Sequence, residues 1–262
     1  MDLELKDKVI IVTGGAGLQG SIGSTIVESI IKEEGIPVFI DKHPRGQHIE
    51  EGLQKEGHNC LFVQADLTTS EGCKTAVQKT ADHYGRLDGL VNNLGVNDGV
   101  GFRNSTFDDF IESLKLNLVH FFAVTRAALP MLRESSGPIV NIASKVAVTG
   151  QGDTSGYVAA KGGVLALTRE WALDLREDDI RVNAVVIAES WTPGYKEWLK
   201  KFDDPEAKKK AIESKVPLKQ RMTKPEEVAD TVLFLLSPRS SHTTGQFIYV
   251  DGGYVHLDRA IT

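Results

Sequence analysis

Three residues open a chemical reading of this sequence. Tyr157 and Lys161 fall four apart in YVAAK, and Ser144 closes the apolar run GPIVNIAS. Four-residue spacing puts a phenol and an ammonium on one face of a helix. Tyrosine is a poor base at its ordinary pKa of about 10. A neighbouring ammonium and a positively charged cofactor ring favour the phenolate and are expected together to lower that value. The phenolate can then take a proton from an alcohol, while the Ser144 hydroxyl holds the same substrate oxygen and stabilises developing charge. Alone, a Tyr-x-x-x-Lys pair is equally an i,i+4 pair on a helix surface, so the reading depends on what surrounds it.

A proton taken from an alcohol needs an acceptor for the electron pair, and the N-terminal region supplies a candidate. The stretch TGGAGLQGSIG, Thr13 to Gly23, lies between the apolar run VIIV and the helical pattern STIVESIIKEEG. A glycine turn between first strand and first helix lets backbone N–H groups and the positive end of the helix approach a pyrophosphate. Gly14, Gly20, Ser21, Ile22 and Gly23 are the candidate cradle. Asp41 ends the second apolar run, VFID; an acid there accepts hydrogen bonds from a ribose diol and repels a 2′-phosphate, which favours NAD over NADP. Lys42 is a cation beside it that offsets part of that repulsion. Asp66, with Leu67 after it in QADL, is placed either to bond the adenine amino group or to cap the following helix. Asn93 and Gly95, in NNLG, are placed to tie loops together and to let the chain pass close to a cofactor.

These residues need a scaffold. KVIIVTG, IPVFID, CLFVQAD, LDGLVNN, GPIVNIAS, IRVNAVVI and GQFIYVDGG read as seven strands whose continuous apolar character fits burial on both faces. Amphipathic segments alternate with them, among them SEGCKTAVQKTADHYG, TFDDFIESLKLNLVHFFAVTRAALPMLRE and GYVAAKGGVLALTREWALDLRE. The alternation predicts an α/β, Rossmann-type, doubly wound parallel sheet with helices on both faces, in a single domain over 1–262. About Glu189 to Lys219 the rhythm breaks into a Trp-, Lys- and Pro-rich stretch, a candidate substrate lid over the carboxyl ends of the strands.

Composition bounds the function. The chain has 262 residues, 25% charged, with a formal net charge of -6. The mild acidity and the absence of a basic stripe argue against nucleic acid as partner. Cys60 and Cys73 have no metal-ligand spacing, and a metal site is not expected. MDLELKDK lacks the order of a signal peptide, and no apolar run approaches the roughly 20 residues that span a bilayer. A cytoplasmic protein without membrane contact is the expectation.

TG…G, DL, NNLG, the asparagine in LKLNL, Ser144, YVAAK, RVNAV and a closing VDGG occur in this order along nearly the whole chain. Together they resemble the short-chain dehydrogenase/reductase family. The resemblance implies Asn117, Ser144, Tyr157 and Lys161 as a catalytic four, with the asparagine anchoring a water that links the lysine to solvent. It further implies that Lys161, with Tyr157 beside it, contacts the nicotinamide ribose, that Thr192 contacts the carboxamide, and that the protein is a homotetramer built partly on the helices of Tyr157 and Asn117. Two departures stand out. The family turn TGxxxGxG would put glycine at Leu18; three residues inserted after Ala16 instead make Gly23 the last glycine, put Ser21 in place of the middle one, and turn Ile26 and Ile30 to the buried helix face. The usual Pro-Gly after NAV is Ile187-Ala188, followed by Glu189.

LVNNLGVNDGVG, SKVAVTGQGDTSGY, LALTREWAL, DPEAK, SPRSSHTTG and VDGGYVHLDRA are similar to the bacterial L-fucose dehydrogenase branch of that family, which implies oxidation of the anomeric hydroxyl of L-fucose or a related aldose to its lactone. A sugar pocket needs polar groups for hydroxyls and an aromatic face for C–H bonds. Ser144, Lys145, Gln151, Tyr157, Glu189, Asn97 and Trp191 are the candidate substrate residues, joined by Asp98 and Trp198. An NADP-linked reductase of a keto or 3-oxoacyl compound is the alternative, and a dinucleotide-binding protein without turnover is a third reading, motivated by the altered turn. The tail HLDRAIT could reach a neighbouring subunit.

Overall fold

A computed structural model describes residues 2–257. Seven strands form one parallel sheet: β1 (Val9–Thr13), β2 (Ile36–Asp41), β3 (Leu61–Gln64), β4 (Gly89–Asn92), β5 (Ile139–Ser144), β6 (Val182–Ile187) and β7 (Phe247–Val250). Their order is β3-β2-β1-β4-β5-β6-β7, a doubly wound sheet whose order reverses between β1 and β4. The helices are α1 (Ile22–Lys32), α2 (Arg45–Lys55), α3 (Ser70–Tyr84), α4 (Phe107–Leu114), α5 (His120–Ser135), α6 (Val146–Thr149), α7 (Ser155–Asp174), α8 (Pro193–Leu199), α9 (Pro205–Glu213) and α10 (Pro225–Leu236). Each of the seven apolar runs read from the sequence contains a strand.

Two cores explain why strands with little alternation are stable. On one face, Val9, Ile11, Val38, Ile40 and Val182 meet Phe121, Val124 and Leu132 of α5 and Val164 and Trp171 of α7. On the other, Ile10, Val12, Phe39, Val140 and Val185 meet Ile26 and Ile30 of α1 and Val228, Val232 and Leu236 of α10. Successive residues point to opposite faces of a strand, so a sheet covered twice needs apolar side chains at both parities. Cys60 and Cys73 are buried free thiols within these cores, and burial pushes both up to about 11.

The glycine turn takes the lengthened form. Ser21 is the N-cap of α1, its hydroxyl accepting from the Ser24 amide, and Ile26 and Ile30 are fully buried. Gly14 and Gly20 both have positive φ, and Leu18 is half exposed on the bulge between them. The decisive glycine is Gly23. A Cβ there would lie 2.3 Å from the Gly14 carbonyl oxygen and 2.6 Å from Asn93 Nδ2, so the helix start is pressed against the end of β1 as a dinucleotide turn requires. Gly23→Ala must separate the two, and a loss of about 1–3 kcal/mol is expected from overpacking, read as a lower melting temperature with weakened dinucleotide binding in the same sample.

Candidate active site

Because all strands are parallel, the ends of β1, β2, β4, β5 and β6 emerge at one edge of the sheet, where open α/β folds bind ligands. This edge collects the Thr13–Gly23 turn, Asp41, the Asn93–Gly95 loop, Ser144 and Glu189. Thr13 ties the first of these to the third. Its hydroxyl accepts from the amides of Asn93 and Leu94 at 2.8 and 3.1 Å, and Asn93 Nδ2 donates to its carbonyl at 2.9 Å.

Ser144 is the last residue of β5 and is nearly buried. Tyr157 sits in the first turn of α7 within hydrogen-bonding reach of the Ser144 side chain. Lys161, one turn on, is 2% exposed. Its ammonium donates to the Ile142 carbonyl at 2.8 Å and lies 5.6 Å from the Tyr157 ring centroid. Gly95 closes over it: a Cβ at that position would come within 3.3 Å of Lys161 Nζ and 3.0 Å of Asn117 Oδ1. The expected phenol, serine and ammonium are thus brought together.

Burial acts against the phenolate from within the protein. It raises Tyr157 to about 12, Asp98 pushes the same way, and the hydrogen bond with Ser144 opposes them. Burial also lowers Lys161, to about 7. Desolvation therefore dominates both groups and disfavours phenolate and ammonium alike.

Asn117 lies in a π-helical turn, Lys115–Val119, between α4 and α5, an irregularity that often marks functional positions. Its side chain is held on three sides: Oδ1 accepts from the Val96 amide at 2.8 Å, and Nδ2 donates to the Ser113 carbonyl at 3.1 Å and Asp98 at 3.4 Å. His120, one turn on, is buried with Nδ1 unpartnered among the described residues, and Nε2 stands 2.9 Å from the Leu116 carbonyl.

The remaining candidates separate into groups. Asp41 is partly buried and accepts from the His43 amide at 3.0 Å. Lys42 beside it is exposed, and the Nε of nearby Arg45, which the sequence reading did not single out, is buried without a hydrogen-bond partner among the described residues. Asp66 is exposed and binds the amide and hydroxyl of Thr68, which hold its carboxyl below the usual range; Thr69, not Asp66, is the N-cap of α3, and Leu67 is buried. Thr192 caps α8, accepting from the Tyr195 amide at 3.2 Å. Asn97 fastens its loop by accepting from the Thr154 hydroxyl, and Gln151 is exposed on the loop between α6 and α7. Trp191 is a less open platform than expected, because Lys209 stands 4.5 Å and Lys196 5.3 Å from its ring centroid. Trp198 packs edge-on against Tyr195 and Phe202.

Lys145 and Glu189 form an ion pair, with side chains only 10% and 12% exposed. Tyr195 of α8 donates its hydroxyl to the other Glu189 oxygen at 2.6 Å, and Tyr254 presents its ring 4.1 Å from the Lys145 ammonium. Tyr195 and Tyr254 escaped the sequence reading. An aromatic six residues after an acid, and another more than a hundred residues after a lysine, carry no spacing signal.

The whole chain matches known proteins. A family model described as enoyl-(acyl carrier protein) reductase covers residues 15–255. The chain belongs to the short-chain dehydrogenase/reductase family. L-fucose dehydrogenase of Bos taurus is 36% identical over 94% of this chain and 88% of its own length. The 3-oxoacyl-[acyl-carrier-protein] reductase FabG of Thermotoga maritima is 33% identical over 97% of this chain and 100% of its own length. The crystal structure of Cj0485 dehydrogenase superposes with a TM-score of 0.94 and 42% identity, covering 99% of this chain and 98% of that one. Members of this family are oxidoreductases that use NAD or NADP, and the glycine turn pressed onto β1 with Asp41 beyond it fits such a dinucleotide. The fucose dehydrogenase matched here is mammalian, so the likeness reaches beyond the bacterial branch. Among the described residues no helix is long and apolar enough to cross a membrane.

Burial also makes the site sensitive to acid. His120 is lowered from 6.5 to about 3, by burial first and by Lys161 second. A group that binds its proton less readily when folded costs stability as pH falls from its unfolded value toward its folded one. Between pH 6.5 and about 3, His120 therefore favours unfolding. In thermal melts across pH 7 to 4, His120→Asn is expected to show a shallower decline than wild type, so the difference in melting temperature moves in the variant's favour as pH falls.

Proposed function

We propose that the protein oxidises the anomeric hydroxyl of an uncharged aldose, L-fucose or a sugar of related configuration, to its lactone with NAD. The observation that carries this reading is the polar wall beside Ser144: Lys145, Glu189 and the Tyr195 hydroxyl offer donors and acceptors where an acyl substrate would need apolar surface. The likeness to L-fucose dehydrogenase supports the substrate class. Asp41 supports NAD.

A dinucleotide bound along the sheet edge supplies the hydride acceptor. Gly14, Gly20, Ser21, Ile22 and Gly23 would hold its pyrophosphate, Asp41 its adenosine ribose, Lys161 the nicotinamide ribose and Thr192 the carboxamide; Asn93 and Gly95 would hold the adjoining loop, and Asp66 and Leu67 would receive the adenine. Ser144 donates to the substrate oxygen and orients it toward Tyr157. Tyr157 Oη takes the proton of the anomeric hydroxyl. A bound oxidised nicotinamide would supply positive charge beside Tyr157, which favours its phenolate against the effect of burial. The proton then passes from Tyr157 by way of Lys161 to a water anchored by Asn117, and so to solvent. Gln151, Asn97 and Trp191 complete the substrate wall, beneath a lid formed by 189–219. The homotetramer uses α5 and α7, which leave Phe122 and Leu173 more than half exposed, and the cytoplasm is its setting.

A second reading, an NADP-linked 3-oxoacyl reductase, is favoured by the match to FabG and by Lys42 and Arg45 beside Asp41. One assay separates them: L-fucose and a panel of hexoses and pentoses with NAD, against 3-oxoacyl thioesters with NADPH. Sugar-dependent NADH formation that rises with pH is expected, and thioester-dependent NADPH oxidation without it would replace the first reading by the second. Tyr157→Phe should lose at least about a hundredfold in kcat with dinucleotide affinity nearly unchanged; retained turnover would mean that another base acts. Asp41→Ala should raise KM for NAD and relax the exclusion of NADP, and an unmoved NAD to NADP ratio would show that Asp41 does not read the ribose.

A further inference from the structure

The ion pair beside Ser144 departs from what its position requires. Lys145 follows the last residue of β5, and Glu189 lies two residues beyond β6, so both stand at the edge of the sheet that carries Ser144 and Tyr157. A lysine there, buried to 8% exposure, would by itself attract an anion. Glu189 answers that charge from within the chain. Its Oε1 accepts from Lys145, its Oε2 from the Tyr195 hydroxyl, and the Tyr254 ring lies against the ammonium from the segment after β7. Four segments of the chain thus converge on one carboxylate and one ammonium.

We infer that Glu189 is an internal counter-ion occupying an anion site at Lys145, and that this occupation restricts the substrate to uncharged molecules. The inference rests on the reading of these residues as a substrate wall and names what the wall rejects. A carboxylate or phosphate on the substrate would have to displace Glu189 from a partly desolvated pair, leaving a buried carboxylate with no cation, which is strongly unfavourable. A protonated amine would meet the mirror-image obstacle at Lys145. A neutral polyol displaces neither, and shares hydrogen bonds with both charges and with Tyr195. Selectivity of this kind comes from repelling the wrong ligand as much as from holding the right one.

The charges can be unmasked one at a time. Glu189→Gln leaves a lone buried ammonium, and Lys145→Met leaves a lone carboxylate. Binding of L-fucose, D-glucuronate and D-galactosamine would be measured by calorimetry with each protein saturated with NADH or NADPH, and melting curves would verify folding. Wild type is expected to bind neither charged sugar measurably. Glu189→Gln should gain at least tenfold in affinity for D-glucuronate, and the double variant Lys145→Met/Glu189→Gln should lose that gain. Lys145→Met should gain affinity for D-galactosamine, and it supplies the test if Glu189→Gln does not fold. Folded single variants that discriminate against charged sugars as wild type does would overturn the inference. Because binding and not turnover is read, absence of sugar oxidation by wild type would end the proposed function while leaving the counter-ion test intact.

Discussion

The burial of one ammonium organises the site. Lys161 gives up nearly all of its hydration, and such a group is tolerated only where the surroundings replace the lost water. Here the Ile142 carbonyl accepts its proton, and the rings of Phe121 and Tyr157 stand 5.0 and 5.6 Å away. The carbonyl comes from β5, Phe121 from α5, and Tyr157 from the same helix as the lysine. Each of these elements must hold its place to within a fraction of an ångström, or the charge is left without partners. The cost of the buried ammonium is also what makes it responsive: burial lowers Lys161 to about 7, so it releases its proton more readily than an exposed lysine.

Behind Lys161 a polar chain through the core fixes the registration that this burial demands. Asn92 Nδ2 donates to Thr125 at 3.1 Å and to Asn141 Oδ1 at 3.0 Å; Asn141 Nδ2 donates to the Thr168 hydroxyl at 3.0 Å, which donates to the Val164 carbonyl at 2.8 Å. The chain joins β4 and β5 to α5 and α7. Apolar contacts alone would tolerate a small slide of α7 along the sheet, since one aliphatic surface accepts another in many positions. Directional hydrogen bonds in a low-dielectric interior do not. Sliding α7 by a residue would strand several buried donors at once, and Tyr157 and Lys161 would leave Ser144.

What could be read without coordinates follows the same division between local and distant causes. The strands were legible because burial on both faces writes itself as uninterrupted apolar runs. The lengthened glycine turn was legible because only one placement of the inserted residues turns Ile26 and Ile30 inward, and both are fully buried. The meeting of Tyr157 and Lys161 on one face of α7 was legible because a single helical turn separates them. The burial that opposes ionisation of Tyr157 was not. Charge proximity can be guessed from spacing, whereas the desolvation that outweighs it depends on how loops such as Asn93–Gly95 fold over the site. The partners of Glu189 were hidden for a related reason: Lys145 precedes it by 44 residues, and its approach is set by the pairing of β5 with β6.

The stretch from 189 to 219 shows how the two kinds of cause meet. Pro193 and Pro205 each sit in the first turn of a helix, where the missing N–H costs nothing, and Thr192 and Asp204 cap those helices with side-chain oxygens. The breaks in the strand-and-helix rhythm are therefore two short helices, α8 and α9, with local start signals of their own. Local signals give them no position relative to the sheet. That comes from tertiary attachments: Tyr195 bonds Glu189, Trp191 donates its amide to the Thr223 carbonyl at 2.9 Å, Leu218 donates its amide to the Gly252 carbonyl at 2.9 Å, and Leu199 and Val216 are buried. α9 has no fully buried residue. One of these attachments ends on the carboxylate that balances Lys145. The charge balance of the substrate wall and the position of α8 are thus set by the same side chain, so a ligand that competes for Glu189 acts on both.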